Sequence, residues 1–201
     1  MFQGSLFGDA QVAIDPSFTA LVRRDLDERC WIDFVPNWLT GADGVFTQLT
    51  ETLDWHQRTV TMYERRLPEP RLTAWWAESA GAAEPLPVLA AARRALSEHY
   101  GVRFDTIGFN RYRDGDDSVA WHGDLRGPKL PEFDVAILSV GARRPFRLRP
   151  RTGGRSISYD PGHGDLLVMG GACQHHWQHS VPKVRSAGPR ISITFRHSGI
   201  S

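Results

Sequence analysis

An α+β fold is predicted by three observations on this sequence. Two segments with helical periodicity lie before residue 101. Short alternating or apolar segments, broken by Gly and Pro, follow from residue 104. No repeat or low-complexity tract divides the chain, and its 201 residues suit one domain with a sizeable core. The run of short strands reads as two antiparallel sheets, a double-stranded β-helix or jelly-roll, braced by the preceding helices.

Residues 1–28 are weakly patterned and are expected to form an irregular N-terminal arm, with a single domain over 29–201. The stretch WIDFVPNWL reads as a short strand or turn entering that domain. Residues 45–57 place Val45, Leu49 and Leu53, with Phe46 and His56 nearby, at helical spacing. Residues 87–100 predict a second helix, with Pro87 in its first turn, Leu89, Ala92 and Leu96 as its buried stripe, and Gly101 as its stop. The strands follow as FDTIGFNRYR, DVAILSV, PFRLRP, RSISYD, DLLVMG and RISITFR. Gly153-Gly154 reads as a hairpin turn, and Asp114, Asp116 and Asp117 as a turn rather than a calcium loop, because no distal Glu is suitably spaced.

Composition excludes several classes. The hydrophobic fraction is 41% and the charged fraction 23%, both ordinary for a globular domain. No apolar run is long enough for a membrane span, and MFQGSLFGDAQVAIDP lacks the layout of a signal peptide. Two cysteines, Cys30 and Cys173, make no disulfide framework, so a reducing, cytoplasmic setting is expected. Net charge is +1, so nucleic-acid binding would need a local patch. Arg143, Arg144, Arg147, Arg149, Arg151 and Arg155 offer one. All but Arg144 share one face of an extended chain, and the alternative is a solvated sheet edge.

The chemistry-bearing residues cluster late. In SVAWHGD, His122 and Asp124 are two apart, so in an extended chain they face one ion together. A third ligand must come from another strand. Of His163, His175, His176, His179 and His197, His179 is chosen, because HHWQHSVPK follows an apolar strand and a Gly-Gly turn. Two His and one Asp form the facial triad of non-haem iron(II) oxygenases, although zinc accepts the same donors. In RISITFR, Arg190, Ser192, Thr194 and Arg196 share one face, and Ile191, Ile193 and Phe195 the other. Buried arginines need anionic partners, and a guanidinium fork matches a carboxylate. Arg190 and Arg196 are thus candidates for the two carboxylates of 2-oxoglutarate, with Asn110 and Tyr112 on one face of GFNRYR as further contacts.

These segments, FNRYRDGDDSVAWHGD, GDLLVMGGACQHHWQHSVPK and PRISITFR, resemble in order the signatures of AlkB-type dioxygenases, which oxidatively remove alkyl groups from nucleobases. PEPRLTAWW resembles that family's base-access region, expected here over about 58–85, with the jelly-roll over about 104–197. The resemblance implies Fe(II) held by His122, Asp124 and His179, and 2-oxoglutarate held by Asn110, Tyr112, Arg190, Ser192 and Arg196, with O2 as oxidant. It implies alkylated DNA or RNA as substrate, with Arg71, Trp75, Trp76, Trp121 and Arg126 as candidate contacts, and no membrane or obligate protein partner. A duplex base must leave the stack to reach such a site.

Three positions depart from the family pattern. Ser192 stands where Asn is frequent, Arg126 stands where an acidic residue is common, and WWAESAGAAEPLP lacks a Tyr-rich loop. The last two fall on base recognition. They keep open a hydroxylase or demethylase acting on a protein side chain or a metabolite. A nucleic-acid-binding barrel with a vestigial metal site is the third alternative.

Overall fold

The computed structural model describes residues 11–62, 65–124 and 130–197. In chain order the strands are β1 (Ala13–Ile14), β2 (Val22–Asp27), β3 (Cys30–Val35), β4 (Leu39–Thr40), β5 (Thr59–Met62), β6 (Arg65–Pro68), β7 (Leu72–Ala77), β8 (Thr106–Tyr112) and β9 (Val119–His122). They continue as β10 (Val135–Gly141), β11 (Phe146–Pro150), β12 (Ile157–Tyr159), β13 (Leu166–Gly171), β14 (Trp177–Val181) and β15 (Arg190–Arg196). Helix α1 (Ala42–Thr52) lies between β4 and β5, α2 (Pro87–Tyr100) between β7 and β8, and the one-turn α3 (Cys173–His176) before β14.

Two sheets face each other. The larger runs β2-β3-β13-β10-β15-β8-β7 and the smaller β12-β11-β14-β9, with antiparallel pairing throughout. This is the jelly-roll that the strand spacing predicts. Strand alternation sends the central strands of the large sheet, β10 and β13, into two cores. Ala136, Leu138, Val140, Leu166, Val168, Ile191, Ile193 and Phe195 pack with the helical residues Val45, Leu49, Leu89, Ala92 and Leu96. Val135, Ile137, Leu167 and Met169 pack with Phe146, Leu148, Trp177 and Val181 of the small sheet. DVAILSV reads as a continuous apolar run because both of its faces are covered.

Helix α2 matches its sequence reading, with Pro87 in the first turn and Gly101 at φ +68 as C-cap. Helix α1 begins at Ala42, earlier than the periodicity suggests, and ends at Thr52. Beyond it Leu53 is extended, and His56 exchanges backbone hydrogen bonds with Thr73. Tertiary pairing thus takes residues 54–57 out of the helix.

The irregular arm expected over residues 1–28 is corrected twice: Ala13–Ile14 pairs with β4, with Phe18 in the core, and Val22–Asp27 is an edge strand paired with β3. Its sequence, VRRDLD, is almost wholly exposed and carries no apolar alternation to reveal it. The Asp114–Asp117 run is a turn. Asp114 Oδ1 accepts from the backbone N–H of Asp116 and Asp117, and Asp117 pairs with Arg113 at 2.8 Å.

Candidate active site

Strand pairing brings the three candidate metal ligands together. His122 on β9 and His179 on β14 are direct cross-strand partners, with ring centroids 4.2 Å apart. Asp124 follows β9, and its Oδ1 lies 3.7 Å from His122 Nε2. One donor atom from each of His122, Asp124 and His179 lies within 4.8 Å of the others. Their neighbours fix them. His122 Nδ1 donates to the Ala120 carbonyl at 2.8 Å, which leaves Nε2 with a free lone pair. Phe146 stacks on His179 with centroids 5.3 Å apart. The Asp124 N–H donates to Gln174 Oε1 at 3.0 Å.

The protonation states suit a cation. Burial works against the Asp124 carboxylate, but the Arg196 guanidinium and the two imidazoles outweigh it and hold the pKa at about 2. Burial pushes the His179 pKa down to about 3, against the pull of Asp124. The anionic carboxylate and neutral imidazole at pH 7 are the ligand forms a divalent metal requires.

Beside the triad the inner face of the large sheet forms a polar floor. Arg190 opposes Tyr112, Ser192 opposes Asn110, and Thr194 opposes Gly108. Arg190 is 1% exposed, and only its Nη2 is satisfied, donating to Ser139 Oγ at 2.8 Å. Its Nε and Nη1 are buried without a partner among the described residues. Burial lowers its pKa. A buried guanidinium with two idle donors fits an anionic ligand carboxylate, since an unpaired buried charge is costly.

Arg196 approaches from the other end of β15 and donates from Nη2 and Nε to Asp124 Oδ2, at 2.9 and 3.2 Å. The two arginines lean towards each other. Ser139 sits opposite Ser192, and a Cβ on Gly108, opposite Thr194, would lie 2.9 Å from Arg196 Nη1. That Cβ would also lie 2.9 Å from the Trp75 ring, so Gly108 lets the guanidinium and the indole cross the sheet surface. Gly108 is missed by sequence reasoning, although an isolated Gly within a strand is a signal of close approach. Gln174 and Ser139 are missed too, because only the fold brings them to the site.

The candidate substrate residues divide. Trp75 is 54% exposed, with the Arg196 guanidinium 5.9 Å from its ring centre. Trp76, on the opposite face of β7, is corrected to a core residue, 8% exposed, with Nε1 donating to the Ala82 carbonyl. Trp121 does not join the pocket beside the triad. Alternation turns it away from His122, and it carries the Arg149 guanidinium at 4.4 Å on the outer face of the small sheet. Arg71 donates from Nε to Asn110 Oδ1 at 3.0 Å, at the edge of the floor. Arg126 lies outside the described residues.

Part of the arginine stripe is engaged within the protein, and Arg144, off its face, is buried. Arg144 is 1% exposed and donates from Nη1 and Nη2 to the carbonyls of Asp114, Asp117 and Pro182. Arg149 is tied to Gln178, and Arg151 to the Gln174 carbonyl.

The competing histidines are occupied elsewhere. His163 Nδ1 accepts from the Gly141 N–H, His197 Nε2 accepts from the Asp134 N–H, and His175 Nε2 donates to the Leu130 carbonyl. His176 faces Cys30. Burial pushes the Cys173 thiol pKa up, so it is no nucleophile at neutral pH.

Comparison with known proteins agrees with this geometry. A sequence model described as the 2OG-Fe(II) oxygenase superfamily matches residues 34–196. The bovine protein named alpha-ketoglutarate-dependent dioxygenase alkB homolog 3 is 39% identical over 178 residues, which is 79% of this chain and 62% of that protein. The Arabidopsis thaliana protein named DNA oxidative demethylase ALKBH2 is 29% identical over 189 residues, covering 75% of this chain and 60% of its own. This chain therefore spans about 60% of the length of both relatives. Among solved structures, OsALKBH1 superposes with a TM-score of 0.58 at 14% identity, over 88% of this chain and all of that one, which supports the fold.

Proposed function

Because this chain belongs to the 2OG-Fe(II) oxygenase superfamily, on its AlkB-type branch, we propose that it oxidatively dealkylates N-alkylated bases in DNA or RNA. The observation that carries the reading is the convergence of His122, Asp124 and His179 beside two inward-leaning arginines, one with idle buried donors. The family's metal is iron(II), its co-substrate 2-oxoglutarate and its oxidant O2. The donor set fits that metal, and Arg190 fits a carboxylate of that co-substrate.

His122, Asp124 and His179 would hold the iron on one side and leave neighbouring positions open. Arg190, with Tyr112 against its guanidinium, would take one carboxylate of 2-oxoglutarate, and Arg196 the other. When bound, iron(II) and 2-oxoglutarate supply the oxidising chemistry, in which O2 is consumed, 2-oxoglutarate becomes succinate and carbon dioxide, and an N-alkyl carbon is hydroxylated and lost as an aldehyde. The chain's own contribution is positional and electrostatic. Arg196 steadies the Asp124 carboxylate, Ser192, Thr194 and Asn110 line the floor, and Trp75 offers an aromatic face at the rim for an unstacked base. The reading places the enzyme in a single oxygenase domain that takes in β1, paired with β4, and in the cytoplasm. Among the described residues no helix is long and apolar enough to cross a membrane.

The test incubates the full chain with iron(II), ascorbate, 2-oxoglutarate and N-methylated oligonucleotides. Succinate and formaldehyde formed in equal amounts, and only with the methylated strand, are expected. Succinate formed regardless of oligonucleotide would reject nucleic acid as the substrate.

A further inference from the structure

The β2–β3 turn meets α3, the short helix whose Gln174 also receives the Asp124 N–H. There Cys30 Sγ lies 3.4 Å from His176 Nδ1, and that nitrogen lies 3.8 Å from Asp27 Oδ2. One donor atom from each of the three residues lies within 4.8 Å of the others. Zinc bonds of about 2.0–2.3 Å at tetrahedral angles put neighbouring donor atoms roughly 3.3–3.7 Å apart. The separations of 3.4 and 3.8 Å at His176 Nδ1 are close to that span, as is the 3.7 Å between His122 Nε2 and Asp124 Oδ1 in the triad.

The cluster is held by contacts outside itself. The Ala172 N–H, just before α3, donates to the Arg29 carbonyl in the β2–β3 turn at 2.9 Å. Gly171 sits at φ +65, and a Cβ there would collide with that carbonyl. Asp27 is oriented by two donors, Trp177 Nε1 to Oδ2 and the Arg29 N–H to Oδ1, both at 2.9 Å. Such outer hydrogen bonds fix a carboxylate ligand while leaving lone pairs for an ion. Cys30 is 1% exposed, whereas the side chains of His176 and Asp27 are 45% and 39% exposed, so an ion and a water can enter from one side.

We propose that Asp27, Cys30 and His176 form a second metal site, distinct from the iron triad, that takes a zinc-class divalent cation with water as fourth ligand. Thiolate and imidazole donors favour zinc over magnesium or calcium. Binding releases the Cys30 thiol proton to solvent and joins the sulfur to the ion. The bound ion braces the start of β14, the strand that carries His179.

The test uses the chelator-stripped full chain titrated with cobalt(II), the spectroscopic stand-in for zinc. The iron triad contains no sulfur, so a thiolate-to-cobalt charge-transfer band reports the second site alone. Two equivalents are expected to bind, one of them with that band, and zinc should displace the thiolate-bound cobalt. Cys30→Ser should abolish the band and leave one equivalent on the triad, whose retention also demonstrates folding. Cys173→Ser should keep the band, and Trp177→Phe should weaken thiolate-site affinity about 10- to 100-fold. No near-ultraviolet band in the folded wild-type chain, a band surviving Cys30→Ser, or cobalt that zinc cannot displace would each overturn the proposal. None of these readouts depends on oligonucleotide turnover.

Discussion

Arg190 concentrates the energetics of the site in one side chain. Among the described residues its buried charge has one hydrogen bond, to Ser139, and two donors without a partner, so the ligand-free protein bears an uncompensated cost. Arg190→Met is expected to leave ligand-free stability equal or higher in urea unfolding, and to weaken 2-oxoglutarate binding by about 10-fold or more in calorimetry, since hydrogen bonds to charged groups contribute about 1.5–3 kcal/mol. Trp75→Ala, at the exposed rim, should lower kcat/KM for a methylated oligonucleotide by about 1–3 kcal/mol of lost stacking while 2-oxoglutarate binding is unchanged. The buried imidazole of His179 makes the iron-free fold acid-sensitive. Its folded pKa of about 3 lies below the ordinary 6.5, so between these values the unfolded chain binds the extra proton and stability falls as pH is lowered. The Asp124 carboxylate, held at about 2, adds a loss of the same sign below its ordinary 3.8. Urea midpoints of the iron-free protein should therefore fall on acidification from pH 6.5, and His179→Gln should flatten that slope.

At the scale of elements, β15 joins the two cores and the site. Ile191, Ile193 and Phe195 bury against the helical layer while Arg190, Ser192, Thr194 and Arg196 face the sandwich interior. A one-residue slip would exchange the two sets, so the apolar face fixes the register that aims the arginines. Helix α1 supplies part of that apolar seat through Leu49, which is 0% exposed. Leu49→Ala should cost about 2–5 kcal/mol in denaturant unfolding with the metal ligands intact. The RISITFR alternation makes this strand readable from the sequence. Strand β14 is not readable in the same way, because WQHSV mixes polar and apolar residues and forms a strand only between β11 and β9.

Over the whole molecule, charge is nearly balanced at +1, and the arginines of residues 143–151 are largely engaged within the protein. Nucleic-acid affinity should depend on salt only modestly, because each neutralised phosphate on a single strand contributes roughly −0.7 to the slope of log K against log salt. A fluorescence-anisotropy titration giving a slope steeper than about −4 would contradict this and point to a larger basic surface.

The chain order of motifs carried the fold class, the two long helices, most strands of the jelly-roll, and the candidate metal-ligand and arginine positions that the fold brings side by side, because periodicity and i, i+2 spacing are local and a strand's alternation records which face meets the core. The pairing of His179 with His122 was settled by cross-strand register, which depends on residues far apart in the chain. The same non-local packing sent Trp76 into the core and Trp121 to the outer face, turned Arg144 into a brace for three carbonyls, and brought Gly108, Gln174 and Ser139 to the site. Side-chain type announces what a residue can do, whereas burial and partners decide whether it does so, and those arise only when sheets and helices close around a common interior.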